Sequence, residues 1–276
     1  MANPIGKAKL GRGKSERTNK HTYSVPALVN KIIYEADIIL EVRDARVIEK
    51  TRNPEIEKKV KSLGKTLVFV LNKADLVDVD KVKANIELEN LKPNVFFSNK
   101  DRKSASILKR LMKILAKRLD KDDVNIGVVG YPNSGKSSLI NLVVGKKVAR
   151  TSPEAGYTKG IQKLKISTGL YLIDTPGIIP ENEKTSINRD VLTKKAQIGA
   201  VTWDRTKNPD MIVFRLMGEY PGLLEKHYGI KAEGDTEVLL EQLGRRWHYL
   251  KKGNEVDEVR SAKHILKDWQ EGKIRQ

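Results

Sequence analysis

The sequence predicts an α/β fold with a largely parallel sheet, followed by a smaller α-helical domain. Three observations lead there. Short β-rich runs alternate with helical runs up to about residue 180. A glycine-containing loop, Gly130–Ser137, stands between a strand and a helix. After residue 186 the strand signal fades and helical patterns remain.

Taken in order, residues 1–20 set Lys7, Lys9, Arg12, Lys14, Arg17 and Lys20 against Glu16 and read as a mobile basic arm. Asp37–Val42 reads as a buried strand that runs into Asp44-Ala45-Arg46. Asn53 is a plausible N-cap and Pro54 an N1 residue for a helix that Gly64 ends. Thr66–Leu71 is a second strand, Asp80–Leu91 a helix and Val95–Phe97 a short strand. In Ser104–Leu119, Ile107, Leu108, Leu111, Ile114 and Leu115 are read as one apolar face, with Lys103, Arg110, Lys113 and Lys117 opposite. Val124–Val129 is a strand, and Ser137–Val144 opens a helix. Ile161–Ile166 and Leu170–Ile173 form a hairpin turning at Gly169. Met211–Gly218, Thr236–Leu250 and Glu258–Trp269 are helical. The expected units are an arm at 1–20, a core domain at 21–185 and a helical domain at 186–276.

Composition narrows the chemistry. The formal net charge is +18, a field that favours polyanions, nucleic acid before membrane. Residues 100–121 hold nine basic residues and two acidic ones. With no cysteine, disulfides, thiolate metal sites and cysteine catalysis are excluded. The four histidines show no metal-ligand spacing. The apolar runs are too short to span a bilayer, and the N-terminus lacks the apolar stretch of a secretory signal, so a cytoplasmic protein is expected. The basic arm and the Lys103/Arg110/Lys113/Lys117 face can contact an RNA backbone, or the face can be solvated. Trp203, Trp247 and Trp269 suit a helical core better than base stacking.

Gly130-Tyr131-Pro132-Asn133-Ser134-Gly135-Lys136-Ser137 fits the phosphate-loop pattern G-x-x-x-x-G-K-[ST]. Backbone N–H groups of such a loop converge on phosphates, and a helix N-terminus adds its positive end. Lys136 would neutralise the β- and γ-phosphates, the Ser137 hydroxyl would hold Mg²⁺, and Ser134, Gly135 and Ser138 would lie along the phosphates. Asp174-Thr175-Pro176-Gly177 follows a strand, so Asp174 can reach Mg²⁺ through water and the Gly177 N–H can sense the γ-phosphate. In Gly156-Tyr157-Thr158-Lys159-Gly160, Thr158 is preferred over Thr151 as a ligand to Mg²⁺ and the γ-phosphate, although a plain surface loop fits the same residues.

Asn72-Lys73-Ala74-Asp75 has the N-K-x-D form. The Asp75 carboxylate can accept from guanine N1–H and the 2-amino group, Asn72 can bond the base edge, and the Lys73 stem can cover the ring. By itself the segment could also be a helix-start turn capped by Asp75. Ser98-Asn99-Lys100 follows the short strand, where a loop can support the base and Ser98 can brace Asp75.

The order is base motif, base-supporting loop, phosphate loop, threonine loop and D-T-P-G. It resembles the circularly permuted GTPases of the YlqF/YawG family, whose D-A-R signature matches Asp44-Ala45-Arg46. The likeness covers about residues 20–276 and implies a P-loop GTPase fold, a permuted G domain with a mostly parallel sheet flanked by helices. It further implies GTP/GDP and Mg²⁺ as ligands, hydrolysis of GTP, and rRNA and a large-ribosomal-subunit precursor as partners of a monomer, with no membrane and no DNA. Asn133 stands where K⁺-stimulated members carry a cation-binding Asn, so Lys136, Asn133, Thr158 and Gly177 are the expected catalytic set. Two motifs depart from the family's wording: Ser98-Asn99-Lys100 replaces S-A-K, and Ala155-Gly156-Tyr157-Thr158 replaces P-G-T-T. Ile178 occupies the position after D-x-x-G where many GTPases place a water-orienting Gln, which implies slow unassisted hydrolysis. A GTPase of tRNA modification or translation, or an RNA-binding protein with a mainly structural G domain, uses the same motifs. A P-loop kinase or ATPase is opposed by Asn72 and Asp75.

Overall fold

A computed structural model describes residues 25–85, 91–145, 162–174 and 188–276. The basic arm, Thr158 and Gly177 lie outside these residues, and so does the expected boundary near 185.

Six strands form one sheet: β1 Ile38–Asp44, β2 Thr66–Asn72, β3 Asn94–Phe96, β4 Val124–Gly130, β5 Gln162–Ser167 and β6 Leu170–Asp174. Their order is β3-β2-β1-β4-β6-β5, with every pairing parallel except β5 with β6. The antiparallel edge is the hairpin read from the sequence, turning at Gly169 in the left-handed region (φ 69°). A parallel sheet is covered on both faces, so its strands are continuous apolar runs. Ile38, Leu40 and Val42 of β1 face α4 (Arg102–Lys117) and α5 (Lys136–Val144), while Ile39 faces α1 (Val25–Glu35) and α2 (Pro54–Ser62). The Asn53 side chain caps α2 at the Ile56 N–H (3.2 Å), and Gly64 follows its end with φ 63°. A short helix, α3 (Val79–Asn85), lies between β2 and β3.

The face of α4 differs from its sequence reading. Ala105, Leu108 and Met112 are buried, but Ile107 is 57% and Ile114 42% exposed. Leu111 and Leu115 of the expected face pack partly buried against the same core, so the covered stripe runs through positions 105, 108, 111, 112 and 115 and leaves Ile107 and Ile114 outside. Lys109, Arg110, Lys113, Lys117, Ser106 and Ile114 line an open groove of about 460 Å³.

The remaining helices, α6 Arg189–Gln197, α7 Pro209–Glu219, α8 Leu223–Tyr228, α9 Thr236–Arg246 and α10 Glu258–Glu271, pack around a core of their own. Trp269 is fully buried in it, with Trp203 and Trp247 packed at its margin. α9 stops at Arg246 rather than running to Leu250, which instead bridges to Val256. Val47 and Tyr131, from the strand-bearing half, complete this helical core. Among the described residues no helix is long and apolar enough to cross a membrane.

Candidate functional site

Asp44-Ala45-Arg46, the base motif, the base-supporting loop, the phosphate loop and Asp174 all lie at the carboxyl ends of parallel strands, where open α/β sheets bind ligands. β1 ends at Asp44, β2 at Asn72, β4 at Gly130 and β6 at Asp174, and Ser98 follows β3. β1 pairs with β2 on one side and β4 on the other, so the base motif and the phosphate loop are drawn together across Asp44-Ala45-Arg46.

The phosphate loop begins at Gly130, where an added Cβ would strike the Val42 carbonyl oxygen. Gly135 has φ +94°, and an added Cβ there would strike Asn72 Nδ2. Only glycine allows so close a passage in that conformation. The gap is closed by a hydrogen bond, in which Asn72 Nδ2 donates to the Ser134 carbonyl (2.7 Å). Lys136 is buried and folds back on the loop, its Nζ donating to the carbonyls of Gly130 (3.0 Å) and Tyr131 (2.7 Å). Ser137 and Ser138 are half-buried in the first turn of α5. The Asn133 side-chain amide donates to the Gly199 carbonyl, which ties the loop to the helical half.

At the other end, Lys73 takes a left-handed backbone conformation (φ 60°, ψ 31°) and Asp75 is the middle residue of the turn Ala74–Leu76. Ser98 Oγ donates to Asp75 Oδ1 (2.8 Å), and Lys100 Nζ pairs with Oδ2 (2.9 Å). Burial works against the Asp75 charge, yet the Lys100 ammonium and the Ser98 hydroxyl outweigh it and hold the carboxyl below its ordinary range. Asn99 also reaches the phosphate loop, with Nδ2 3.4 Å from where a Gly135 Cβ would stand.

Among the described residues the buried atoms Asn72 Oδ1 and Ser134 Oγ make no hydrogen bond, and Asp75 Oδ2 has the exposed Lys100 ammonium as its one partner. Uncompensated buried polar groups are costly, and native structures keep them where a ligand or water serves them. One acceptor on the base-motif asparagine and one hydroxyl on the phosphate loop fit the two ends of a nucleotide. The Ser137 hydroxyl and the position of Asp174 at the end of β6 suit a hydrated divalent cation beside the phosphates.

Sequence reasoning gave Asp44 and Arg46 no role beyond family likeness. Both are buried. Arg46 forks onto Asp44 (Nε to Oδ1 3.1 Å, Nη2 to Oδ2 2.8 Å), and Lys73 Nζ lies 2.8 Å from the same Oδ2. Burial opposes the Asp44 charge, but Lys73 and Arg46 overcome it and hold the carboxyl far below its ordinary range. Glu41 and Arg43 on β1 are a second buried pair (2.8 Å), with Glu57 on the same guanidinium at 2.7 Å. A lone charge inside an apolar strand run is the one signal that pointed to it.

The family described as 50S ribosome-binding GTPase matches residues 125–228. The GTP-binding protein MJ1464 of Methanocaldococcus jannaschii is 41% identical over 256 residues, covering 91% of this chain and 66% of that protein. Nucleolar GTP-binding protein 2 of Yarrowia lipolytica is 33% identical over 270 residues, covering 95% of this chain and 51% of that protein. The chain thus spans about half to two thirds of the length of these curated relatives. Among solved structures, GDP-bound YlqF superposes with a TM-score of 0.64 at 25% identity, covering 90% of this chain and 96% of that one. GNP-bound YlqF from T. maritima gives 0.63 at 24%, covering 90% and 93%. The permuted motif order, the strand order that gathers those motifs, and these similarities agree, and the chain belongs to the circularly permuted GTPases of the YlqF/YawG family.

Proposed function

We propose that the chain binds guanine nucleotide, hydrolyses GTP to GDP and phosphate, and acts as a nucleotide-dependent RNA-docking switch in assembly of the large ribosomal subunit. The observation that carries the nucleotide reading is a pair of buried atoms with no partner among the described residues, Asn72 Oδ1 and Ser134 Oγ, on loops that Asn72 fastens together, beside an Asp75 carboxylate held by Ser98 and the exposed Lys100. Guanine would donate to the remaining acceptor positions of the Asp75 carboxylate from N1–H and the 2-amino group. Adenine would leave those acceptor positions unfilled, at a cost of about 1–3 kcal/mol. Lys73 and the Ser98-Asn99-Lys100 loop would enclose the base.

At the phosphate end, Lys136 would exchange its two loop carbonyls for phosphate oxygens, with the loop N–H groups and the N-terminus of α5 adding to the field. Ser137, Thr158 and Asp174 would hold Mg²⁺, which supplies charge neutralisation between the β- and γ-phosphates when bound. The Gly177 N–H would read the γ-phosphate. Since Ile178 cannot orient water, hydrolysis would be slow without a partner. A K⁺ ion at Asn133 would add transition-state stabilisation, tested by turnover in KCl against NaCl, where equal rates contradict it.

The names of the relatives speak of ribosome binding and the nucleolus. The charge of +18 and the cationic groove of α4 suit rRNA. The arm at 1–20, the permuted domain at 21–185 and the helical domain at 186–276 would be the working parts, with the D-T-P-G loop leading into the last of them. The deciding experiment is co-sedimentation with large-subunit precursors on a gradient. The protein should travel with them in a non-hydrolysable GTP analogue and leave in GDP. Equal distribution in both states contradicts the switch.

A further inference from the structure

Arg46 makes contacts in two directions. Toward β1 and β2 it forks onto Asp44, the carboxylate that also holds the Lys73 ammonium. Toward the helical half, its Nη1 donates to the Trp269 carbonyl (2.6 Å) and its guanidinium lies over the Trp269 ring, 4.4 Å from the centroid. All three guanidinium nitrogens are thereby engaged, one face lies on the Trp269 ring, and the group is buried. Its main chain joins in: the Arg46 carbonyl accepts from Tyr220 Oη (3.3 Å), beside a Tyr220–Trp269 ring contact at 5.6 Å. Nearby, the Gln276 N–H donates to the carbonyl of Leu76, one residue beyond Asp75 (2.8 Å).

Lys73 is the sensitive member of this chain of contacts. A lysine at φ 60° occupies a conformation that L side chains rarely adopt, and the Asp44 ion pair helps hold it there. Asp44 in turn has both oxygens set by the rigid fork of Arg46, which an ammonium could not reproduce.

We infer that Arg46 is a positioning residue for guanine recognition, which sets Lys73 through Asp44 and couples occupancy of the base site to the packing of α10 through Trp269. This rests on the guanine-nucleotide reading above. Coupling between sites is reciprocal, so a base that settles Lys73 also steadies α10, and loosening α10 weakens base binding. The route is separate from the D-T-P-G loop, because it senses the base rather than the γ-phosphate.

The test is hydrogen exchange on the full chain, with and without saturating GDP, in wild type and in Arg46→Lys. Protection of the phosphate loop reports binding itself. In wild type, GDP should slow exchange in α10 by about fivefold or more, the lower end of ordinary coupling. In Arg46→Lys the phosphate loop should still be protected while α10 no longer responds. GDP affinity should fall about tenfold, but affinity for inorganic triphosphate, which meets the phosphate loop and not the base motif, should stay unchanged. A merely structural role would lower both. Trp269→Phe, which keeps a ring and the main-chain carbonyl, should shrink the α10 response even where Arg46→Lys folds poorly. An α10 response equal in wild type and variants, or none in wild type despite a protected phosphate loop, overturns the inference. No phosphate-loop protection in wild type overturns the nucleotide reading and the inference with it.

Discussion

The Asn72 side-chain amide donates to the Ser134 carbonyl at 2.7 Å, joining two loops 62 positions apart in the chain. One belongs to the base motif and the other to the phosphate loop. Beside that bond, Asn72 Oδ1 and Ser134 Oγ are buried with no partner among the described residues, so the seam between the loops also holds unmet polar atoms.

Closeness at that seam depends on Gly135. Gly135→Ala would place a methyl group into Asn72 Nδ2 at φ +94°, so it should part the loops and reduce GDP affinity by about 2 kcal/mol or more, on the scale of local backbone strain. Gly145→Ala is the control. Its φ is +80° with nothing within 4 Å, so it should cost about 1 kcal/mol of folding stability and spare nucleotide binding. Urea unfolding and nucleotide titration separate the two effects.

The Asp75 carboxylate should select the base. Asp75→Asn replaces an acceptor by an amide that can donate, so GDP affinity should drop by about 1–3 kcal/mol while xanthosine diphosphate, which offers a carbonyl in place of the 2-amino group, gains. Competition against a fluorescent nucleotide measures both. A variant that keeps its preference for GDP would show that Asp75 does not read the base.

Acid should loosen the joint around Asp44. Asp44 and Asp75 both have folded-state pKa values below their ordinary 3.8. A depressed carboxylate contributes stability above its unfolded pKa and loses it as pH falls through the folded value. Stability should therefore decline from about pH 4 downward, and less steeply in Asp44→Asn. That variant leaves Arg46 and Lys73 buried against a neutral amide, at a cost of about 3–5 kcal/mol at pH 7. Urea midpoints across pH 3 to 7 test this, and a decline of equal slope in the variant would remove Asp44 from the account.

The groove on α4 should bind phosphate backbone. Replacing Arg110, Lys113 and Lys117 together by Gln should weaken RNA binding and reduce its salt slope by about 0.7–0.9 per lost contact, leaving GDP affinity unchanged. An unaltered slope would make this a solvated face.

Much of this was legible in the sequence because it is local. The phosphate loop, the N-K-x-D turn, the Asn53 cap and the Gly169 hairpin are each set by a few adjacent residues whose backbone demands are specific. The interior stripe of α4 was legible only in part: Leu108, Leu111 and Leu115 pack as read, while Ile107 and Ile114 are apolar yet exposed, and only the neighbouring sheet decides which are covered. Helices α6 and α8 were missed because one is polar along most of its length and the other has six residues. The Arg46–Trp269 contact spans 223 positions, and Tyr131 leaves the phosphate loop to enter the helical core. Such relationships follow from tertiary packing, which no local pattern encodes.

Nucleotide titration calorimetry on the intact chain tests the central claim most directly. One GDP should bind per chain, ADP about a hundredfold more weakly or worse, in line with a buried acceptor left unpaired, and both Asp75→Asn and Lys136→Ala should weaken GDP. Equal binding of GDP and ADP, or loss of GDP affinity in only one of the two variants, would mean that the base motif and the phosphate loop do not hold the same molecule.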